Sequence, residues 1–300
     1  MRLIFTSDPL NPRRPDYSYQ DEYEAAQRLG LECSLINLEA LVDEGDAEKA
    51  VRRVTPSAEG GELAIYRGWM IRPGDYTALH DALGNLGLIS INTPEQYEHC
   101  HYLPRWYEVL EGHTPRSVWT NPGDASQAAI SILLQNFGDS PVVVKDYVKS
   151  RKHEWHEACF IPSASDQESA IRIIDRFVEL QGKDLNGGLV LREFMTFEPL
   201  GTHSRSGMPL TREFRLFYLG GQPIQVSNYW EEGDYQGDQP PLAQFTELAS
   251  KVSSRFFTMD VARTVSGEWV VVELGDAQVS DLPEDVDPEA FFLGVKDSVI

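Results

Sequence analysis

The chain is short of positive charge. Its 300 residues hold 26 Lys and Arg against 47 Asp and Glu, a formal net charge of −21. The deficit is general: each half carries 13 basic residues, against 22 and 25 acidic ones. Such a surface argues against a nucleic-acid or anionic-membrane binder, which needs a basic face. It leaves room for a small basic pocket. Cysteine is scarce too. Cys33, Cys100 and Cys159 are odd in number and far apart, so they imply neither a disulfide framework nor a CxxC metal site. They read as reduced thiols of a cytoplasmic protein. Long apolar runs are missing. The opening Met1–Asp8 has too short an apolar run for a signal peptide, and no stretch nears the ~18 residues of a membrane span. Several chemical motifs are absent: no GxxxxGK[ST], no Rossmann glycine fingerprint and no Gly-x-Ser-x-Gly elbow. His153-Glu154-Trp155-His156 has the wrong spacing for a zinc helix, and His99-Cys100-His101 diverges around a helix.

What is there describes a globular protein, 41% hydrophobic and 10% aromatic, long enough for a substantial core. The first ~115 residues alternate apolar runs with helical patterns, the mark of α/β layering. Strands are expected at Leu3–Phe5, Cys33–Ile36, Leu63–Tyr66 and Leu88–Ile91. Helices are expected near Tyr19–Leu29, ended by Gly30, and over Asp75–Leu86. Another should start at Pro94 after the caps Asn92 and Thr93 and break near Pro104. His113–Pro115 reads as a domain junction. Beyond it the pattern turns to α+β. A helix after Asp124 should bury Ala129, Ile132, Leu133 and Phe137. Val142–Val144 and Leu189–Leu191 are buried strands. A capping box at Ser165–Glu168 opens a helix whose stripe includes Ala170, Ile171, Ile174, Phe177 and Val178. Two hairpins flank a helix near Pro241–Arg255.

The second hairpin carries chemistry. Phe256–Ala262 and Trp269–Leu274 flank Ser266-Gly267. A two-residue turn there sets Asp260 directly opposite Glu273. Like charges so placed repel. A hard cation between them removes the conflict, since Mg²⁺ is held by one or two carboxylates plus phosphate oxygens, and Asp276 could add an oxygen. Two solvated carboxylates, or a register shifted by one, is the other reading, and spacing alone does not choose. The few basic residues gather. Lys145 ends the Val142–Val144 strand, Lys149, Arg151 and Lys152 follow in one loop, and Arg192, Arg212 and Arg215 come later. In the strand around Arg215, Phe214, Leu216 and Tyr218 share the opposite face. Surface salt bridges would explain any one of these. Jointly with the carboxylates they suit a polyphosphate neutralised by Mg²⁺ and Lys/Arg.

These pieces, in this order, resemble the ATP-grasp superfamily, and in particular a clade named for two arginines and a lysine. They are more distantly similar to eukaryotic ATP-grasp chaperones that assemble a translation initiation factor. The resemblance rests on Tyr66–Met70, Val142–Tyr147, Leu191–Met195, Glu213–Arg215 and Val272–Gln278 and covers most of the chain. It implies α/β plus α+β architecture: a Rossmann-like pre-ATP-grasp domain at 1–115 and an ATP-grasp domain of two α+β subdomains at 116–300. It implies ATP and Mg²⁺ as cofactors. Lys145 matches a phosphate-contacting lysine, Arg192, Glu193, Phe194 and Met195 the adenine-binding hinge, Glu213 a ribose contact, and Arg215 a phosphate contact. Asp260 and Glu273 match the Mg²⁺ ligands. Gly275 departs from the usual Glu-x-Asn, with Asp276 as the substitute ligand, and the loop after Lys145 lacks the usual glycines. Arg67 and Trp69, outside this core, are candidates for substrate recognition.

The expected activity is an ADP-forming carboxylate–amine ligase, acting through an acyl phosphate on a small molecule, peptide or protein. Lys145 and Arg215 would act by charge neutralisation. An ATP-binding assembly chaperone without ligation is the alternative. The carboxylate, the amine and the oligomeric state are not legible.

Overall fold

The computed structural model describes residues 1–202, 204 and 209–299. The N-terminal part builds one parallel sheet in the order β2-β1-β3-β4, from β1 (Arg2–Thr6), β2 (Glu32–Ile36), β3 (Glu62–Arg67) and β4 (Leu88–Ser90). β1 is buried along its whole length, as a central parallel strand must be when both faces are covered. The expected helices form as Gln20–Arg28 and Pro73–Asn85. Gly30 follows the first at φ +69°, a left-handed conformation that glycine adopts without strain. Thr93 and Gln96 form a reciprocal capping box at the start of Pro94–His101. Tyr102 then turns extended, and the chain restarts as Leu103–Trp106 with Pro104 in its first turn, the break expected there.

Three antiparallel sheets follow. One has the order β5-β8-β6-β7, from β5 (Ser117–Trp119), β6 (Val142–Asp146), β7 (Phe160–Ile161) and β8 (Leu189–Glu193). A second joins β9 (Pro199–Thr202) to β10 (Pro209–Thr211). The third has the order β12-β11-β13-β14, from β11 (Glu213–Leu219), β12 (Gln222–Asn228), β13 (Phe256–Arg263) and β14 (Trp269–Asp276). The helix between its hairpins is Leu242–Ala249.

Two helices differ in detail from the sequence pattern. The first, after Asp124, spans Gln127–Leu134 and is capped by Ser126. It buries Ile130 and Leu134, with Phe137 just beyond it, and leaves Ile132 63% exposed. The stripe therefore runs through 130, 134 and 137, a 3.6-residue period one face away from the expected one. The second, Gln167–Gln181, is capped by Asp166, whose carboxylate accepts the Ser169 N–H. Ser165 bonds Ser163 instead, so the expected capping box does not form. Ile173, outside the expected stripe, is buried.

The β13–β14 hairpin corrects the turn but keeps the pairing. Thr264 and Glu268 pair around a three-residue loop ended by Gly267 at φ +87°, so Ser266-Gly267 is not a two-residue turn. Near the turn Val261 faces Val271, one residue off the expected register. A bulge between Asp260 and Val261 takes up Val272 and restores it, so Asp260 does face Glu273.

The sheets share cores. Leu3 and Phe5 of β1 pack with Phe217 and Leu219 of β11, Phe256 of β13, and Phe291 of the Pro288–Val299 helix. Arg67 ties the same joint: Nε and Nη2 donate to the two Glu22 carboxylate oxygens at 2.7 Å, and Nη1 donates to the carbonyls of Ala277 and Ser280 at 2.5 and 3.0 Å. A second core joins Leu103 and Trp106 to Val190 of β8 and to Phe214, Leu216 and Met259 of the third sheet. One end of the β11–β13 face is thus covered. The other end of the face that carries Phe217 and Phe256 holds Glu213, Arg215 and Asp260, and Lys145 of β6 reaches across to Glu273 beside them; the polar space between these two sheets is the cleft.

Candidate active site

Alternation on β6 decides which side chains reach the cleft. Val142 and Val144 point into the core beneath the Gln167–Gln181 helix, so Lys145 points the other way. Its Nζ donates to Glu273 Oε1 at 2.6 Å. Asp146 turns back and organises the following loop. Oδ1 accepts the Val148 and Lys149 N–H groups, and Oδ2 accepts Gln181 Nε2 and the Asn186 N–H. Arg151 grips Glu154 and reaches Gln181 Oε1. Held at both ends, the glycine-free loop lays Lys152 across the cleft.

Arg215 on β11 faces Asp260 on β13. Its fork is bidentate: Nε to Oδ1 at 2.8 Å and Nη2 to Oδ2 at 2.9 Å. The paired carboxylates Asp260 and Glu273 are therefore each met by a cation. Two charges ~5 Å apart at an effective dielectric of ~20 repel by ~3 kcal/mol, so each needs a counter-charge of its own. Arg215 and Lys145 supply them, and the opposed carboxylates do not by themselves require a metal.

Further cations surround this core. Arg192 on β8 is buried, donates to Thr114 Oγ1 at 2.7 Å and lies 5.9 Å from the Trp106 ring. Burial pulls its guanidinium down to about 10, against the pull of Glu273. Lys152 has no carboxylate within ion-pair distance among the described residues. It is open to the cleft, yet Tyr229, Glu213, Glu273 and Asp260 crowd it. Burial opposes its charge, but these neighbours outweigh burial and raise its pKa. Burial likewise pushes the Glu273 carboxyl up, but Lys145, then Lys152 and Arg192, hold it below its ordinary value. Glu213 is buried and accepts from Thr211 Oγ1. Burial raises its carboxyl, with Lys152 opposing.

The expected hinge, Arg192–Met195, spans the end of β8 and the two residues after it. The Glu193 N–H donates to the Arg116 carbonyl at 2.8 Å and the Phe194 N–H to the Pro141 carbonyl at 3.0 Å. The Phe194 ring meets Phe160 edge-on at 4.9 Å, and Phe160 stacks on Trp155 at 5.2 Å. Met195 follows, half-buried.

Two expected residues lie elsewhere. Asp276 sits three residues past Glu273, on the opposite face of β14, fully buried. It accepts from Asn92 Nδ2, the Gln278 N–H and Gln278 Nε2, at 2.6, 2.9 and 3.0 Å. It is not brought to Asp260 and Glu273. Among the described residues no three His, Cys, Asp or Glu converge as a metal site. Arg67 is wholly buried in the joint described above and offers nothing to a substrate. Trp69 remains 45% exposed, its Nε1 donating to Asp16 Oδ2 at 3.0 Å and its ring edge-on to Tyr19.

A family model described as ATP-grasp domain, R2K clade family 3, matches residues 136–294, which hold Lys145, Arg192, Glu213, Arg215, Asp260 and Glu273. The chain belongs to the ATP-grasp family. Solved ATP-grasp structures share its fold from end to end. A RimK domain protein ATP-grasp from Sphaerobacter thermophilus is 16% identical with TM-score 0.60, over 98% of each chain. The ATP-grasp ligase PsnB, complexed with a minimal precursor, Mg and ADP, is 14% identical with TM-score 0.55, over 99% of this chain and 98% of that one. N5-carboxyaminoimidazole synthetase from Staphylococcus aureus is 10% identical with TM-score 0.58, over 98% of this chain and 76% of that one. No curated protein matches the chain in sequence. Among the described residues no helix is long and apolar enough to cross a membrane.

Sequence reasoning left two cleft residues unassigned. Lys152 was grouped with its loop neighbours, since no local pattern separates an inward lysine from solvated ones. Tyr229, just past β12, carries no signal in sequence. Asp146 is a strand-end Asp whose carboxylate accepts N–H groups two and three residues on.

Proposed function

We propose that the chain is an ATP- and Mg²⁺-dependent ligase that joins a carboxylate to an amine through an acyl phosphate. The observation that carries this reading is the cleft, where the paired carboxylates Asp260 and Glu273 are met by Arg215 and Lys145 within an ATP-grasp fold. Four cations, Lys145, Lys152, Arg192 and Arg215, surround three carboxylates, Glu213, Asp260 and Glu273. The excess is slight. A nucleotide triphosphate with its cation brings a net negative charge that this excess offsets only in part.

The residues fit Mg²⁺ in a restricted way. Asp260 and Glu273 are two carboxylates, and Mg²⁺ is commonly held by one or two together with phosphate oxygens and water. Asp260 and Glu273 would hold the cation, and both are paired with Arg215 and Lys145, whose charges would be shared with the phosphates of a bound nucleotide. When bound, Mg²⁺ neutralises charge on the phosphates. Lys145 and Arg215 then hold the phosphates in line, acting by position and charge rather than as nucleophiles. Glu193, Phe194 and Met195 are assigned to adenine through their backbone, with Arg192 at the head of the hinge, and Glu213 to the ribose. Trp69 is assigned to the substrate side. We assign residues 1–115 to a pre-ATP-grasp domain and 116–300 to the ATP-grasp domain.

A substrate carboxylate oxygen attacks the γ-phosphorus as the bond to ADP breaks. The amine nitrogen then attacks the acyl carbon, loses a proton and expels inorganic phosphate. Structures of ligases with this fold support the reading. The test is ADP release from Mg·ATP across panels of carboxylates and amines, amino acids and peptides included. ADP and phosphate formation that requires both acceptors supports ligation. Tight ATP binding with no product from any pair, and with a protein partner, supports an assembly chaperone instead.

A further inference from the structure

The loop after β1 presents exposed side chains on a rigid frame. It carries Pro9, Pro12 and Pro15, each with its φ fixed by the ring. Asp8 Oδ1 accepts the Leu10 and Asn11 N–H groups at 2.7 and 3.1 Å. The Arg14 N–H donates to the Asn11 carbonyl, and the Arg14 carbonyl accepts the Asp8 N–H. The Asp16 N–H closes the loop on the Thr6 carbonyl at 2.9 Å. On this frame Leu10 is 96% and Tyr17 91% exposed, and no other large apolar side chain among the described residues exceeds 63%. One exposed leucine needs no explanation. Two large apolar groups held out by an ordered loop, with the exposed pair Arg13-Arg14 between them, do. Trp69 extends the patch and is tied to the loop through Asp16. The loop lies at the carboxyl end of β1, where the strand order β2-β1-β3 changes direction, the edge at which open parallel sheets receive ligands. Its cations have no acidic partner. Arg53, also exposed, joins Arg13 and Arg14 by donating from Nη1 to the Pro12 carbonyl at 2.6 Å. Among the described residues none of these three forms an ion pair, whereas Arg2, Arg28 and Lys49 in the same part of the chain all do. The loop's own carboxylates are engaged, Asp8 as above and Asp16 with the Ser18 N–H and Trp69 Nε1.

We propose that this loop docks an acidic segment of a partner polypeptide, with carboxylates on Arg13, Arg14 and Arg53 and an apolar side chain against Leu10 and Tyr17. The planar guanidinium fork matches a carboxylate. The loop is ordered before binding, so little conformational freedom is lost on its side. A nucleic acid is the poorer occupant, because a long polyanion meets the surface of a chain of net charge −21 beyond the patch. The docking rests on the loop alone and holds whether the cleft ligates or only binds nucleotide.

The test is selection of phage-displayed random peptides on the full chain, followed by fluorescence anisotropy of the recovered peptides without nucleotide. The recovered peptides should be acidic and carry an aliphatic or aromatic residue. Loss of two exposed ion pairs predicts about 2- to 30-fold weaker binding to Arg13→Gln/Arg14→Gln. Partial loss of an apolar contact predicts about 3- to 10-fold weaker binding to Leu10→Ser. Raising NaCl to ~0.5 M should weaken binding to wild type more than to the double arginine variant. Both variants should unfold at the wild-type temperature, since the altered side chains are exposed. Recovery of no peptide, or of neutral or basic ones, overturns the proposal. So does equal affinity in wild type and both variants, or a single-stranded RNA oligonucleotide that binds more tightly than the recovered peptides. Each of these failures leaves the ligase reading standing, because that reading is tested at the cleft by ADP release.

Discussion

Removing the Arg67 guanidinium separates a structural role from a substrate role. Arg67 is fully buried, and Glu22, its bidentate partner, is 7% exposed. In Arg67→Met the Glu22 carboxylate stays in the interior without a counter-charge, and the carbonyls of Ala277 and Ser280 lose their donor. Breaking a buried pair from one side costs about 3–5 kcal/mol. At roughly 2 °C per kcal/mol for a chain of this size, the melting temperature should fall by about 6–10 °C. The double variant Glu22→Leu/Arg67→Met removes both charges and should recover most of that loss, because a matched apolar pair is often neutral against a buried ion pair. Thermal unfolding at pH 7 measures both. Affinity for Mg·ATP in the folded fraction should be unchanged, since Arg67 does not face the cleft. A melting temperature within about 1 °C of wild type in Arg67→Met, together with a raised KM for an acceptor, would refute this reasoning and return Arg67 to the substrate.

Three further outcomes follow. Burial pushes the Asp276 carboxyl up to about 7 although three donors favour its ionised form. Between pH ~4 and ~7 the folded chain then holds a proton that the unfolded chain has lost, so this group makes stability fall as pH rises, by about 4 kcal/mol in all, and it levels off above pH 7; a carboxyl ¹³C titration midpoint near 7 is expected, and one below 5 contradicts the burial account. Gly267→Ala forces φ +87° on a residue with a Cβ and should lower stability by ~1 kcal/mol or more in denaturant unfolding, whereas Ser266→Ala should change it little. Asp146→Asn replaces one acceptor oxygen with an amide that faces the donors of Gln181 and Asn186 or of Val148 and Lys149; it should speed hydrogen exchange in residues 147–152, and unchanged protection there would show that the loop is held otherwise.

The fold was legible where one signal dominates. The buried run Leu3–Phe5, the stop at Gly30 and the Thr93-Pro94 start all took the expected form, because periodicity and capping act locally. The Gln127–Leu134 stripe was misplaced because three overlapping apolar sets fit one short helix, and only the β6 sheet beneath it chooses among them. The Asp260–Glu273 pairing was legible, but by a route the hairpin does not take. A three-residue loop shifts the register by one, and the bulge at Val272 shifts it back. Neither leaves a clear mark in sequence. Arg215 is readable from strand alternation and Lys145 from its place at the end of a buried strand. Their engagement with Glu273 and Asp260 was not, because it depends on two sheets meeting across a cleft. Arg67 and Asp276 share types with functional residues, and only their burial reveals what they hold. The net charge of −21 gains a sharper meaning in this setting: few cations are present, and four of them gather around the carboxylates Glu213, Asp260 and Glu273.

The central claim is that this cleft binds the phosphates of Mg·ATP, and calorimetric titration of Mg·ATP into wild type, Lys145→Ala and Asp260→Asn tests it most directly. Binding to wild type, with at least ~10-fold weaker affinity in each variant and folded far-UV spectra throughout, is predicted from the loss of one charged contact in each. Equal affinity in all three chains would contradict the account.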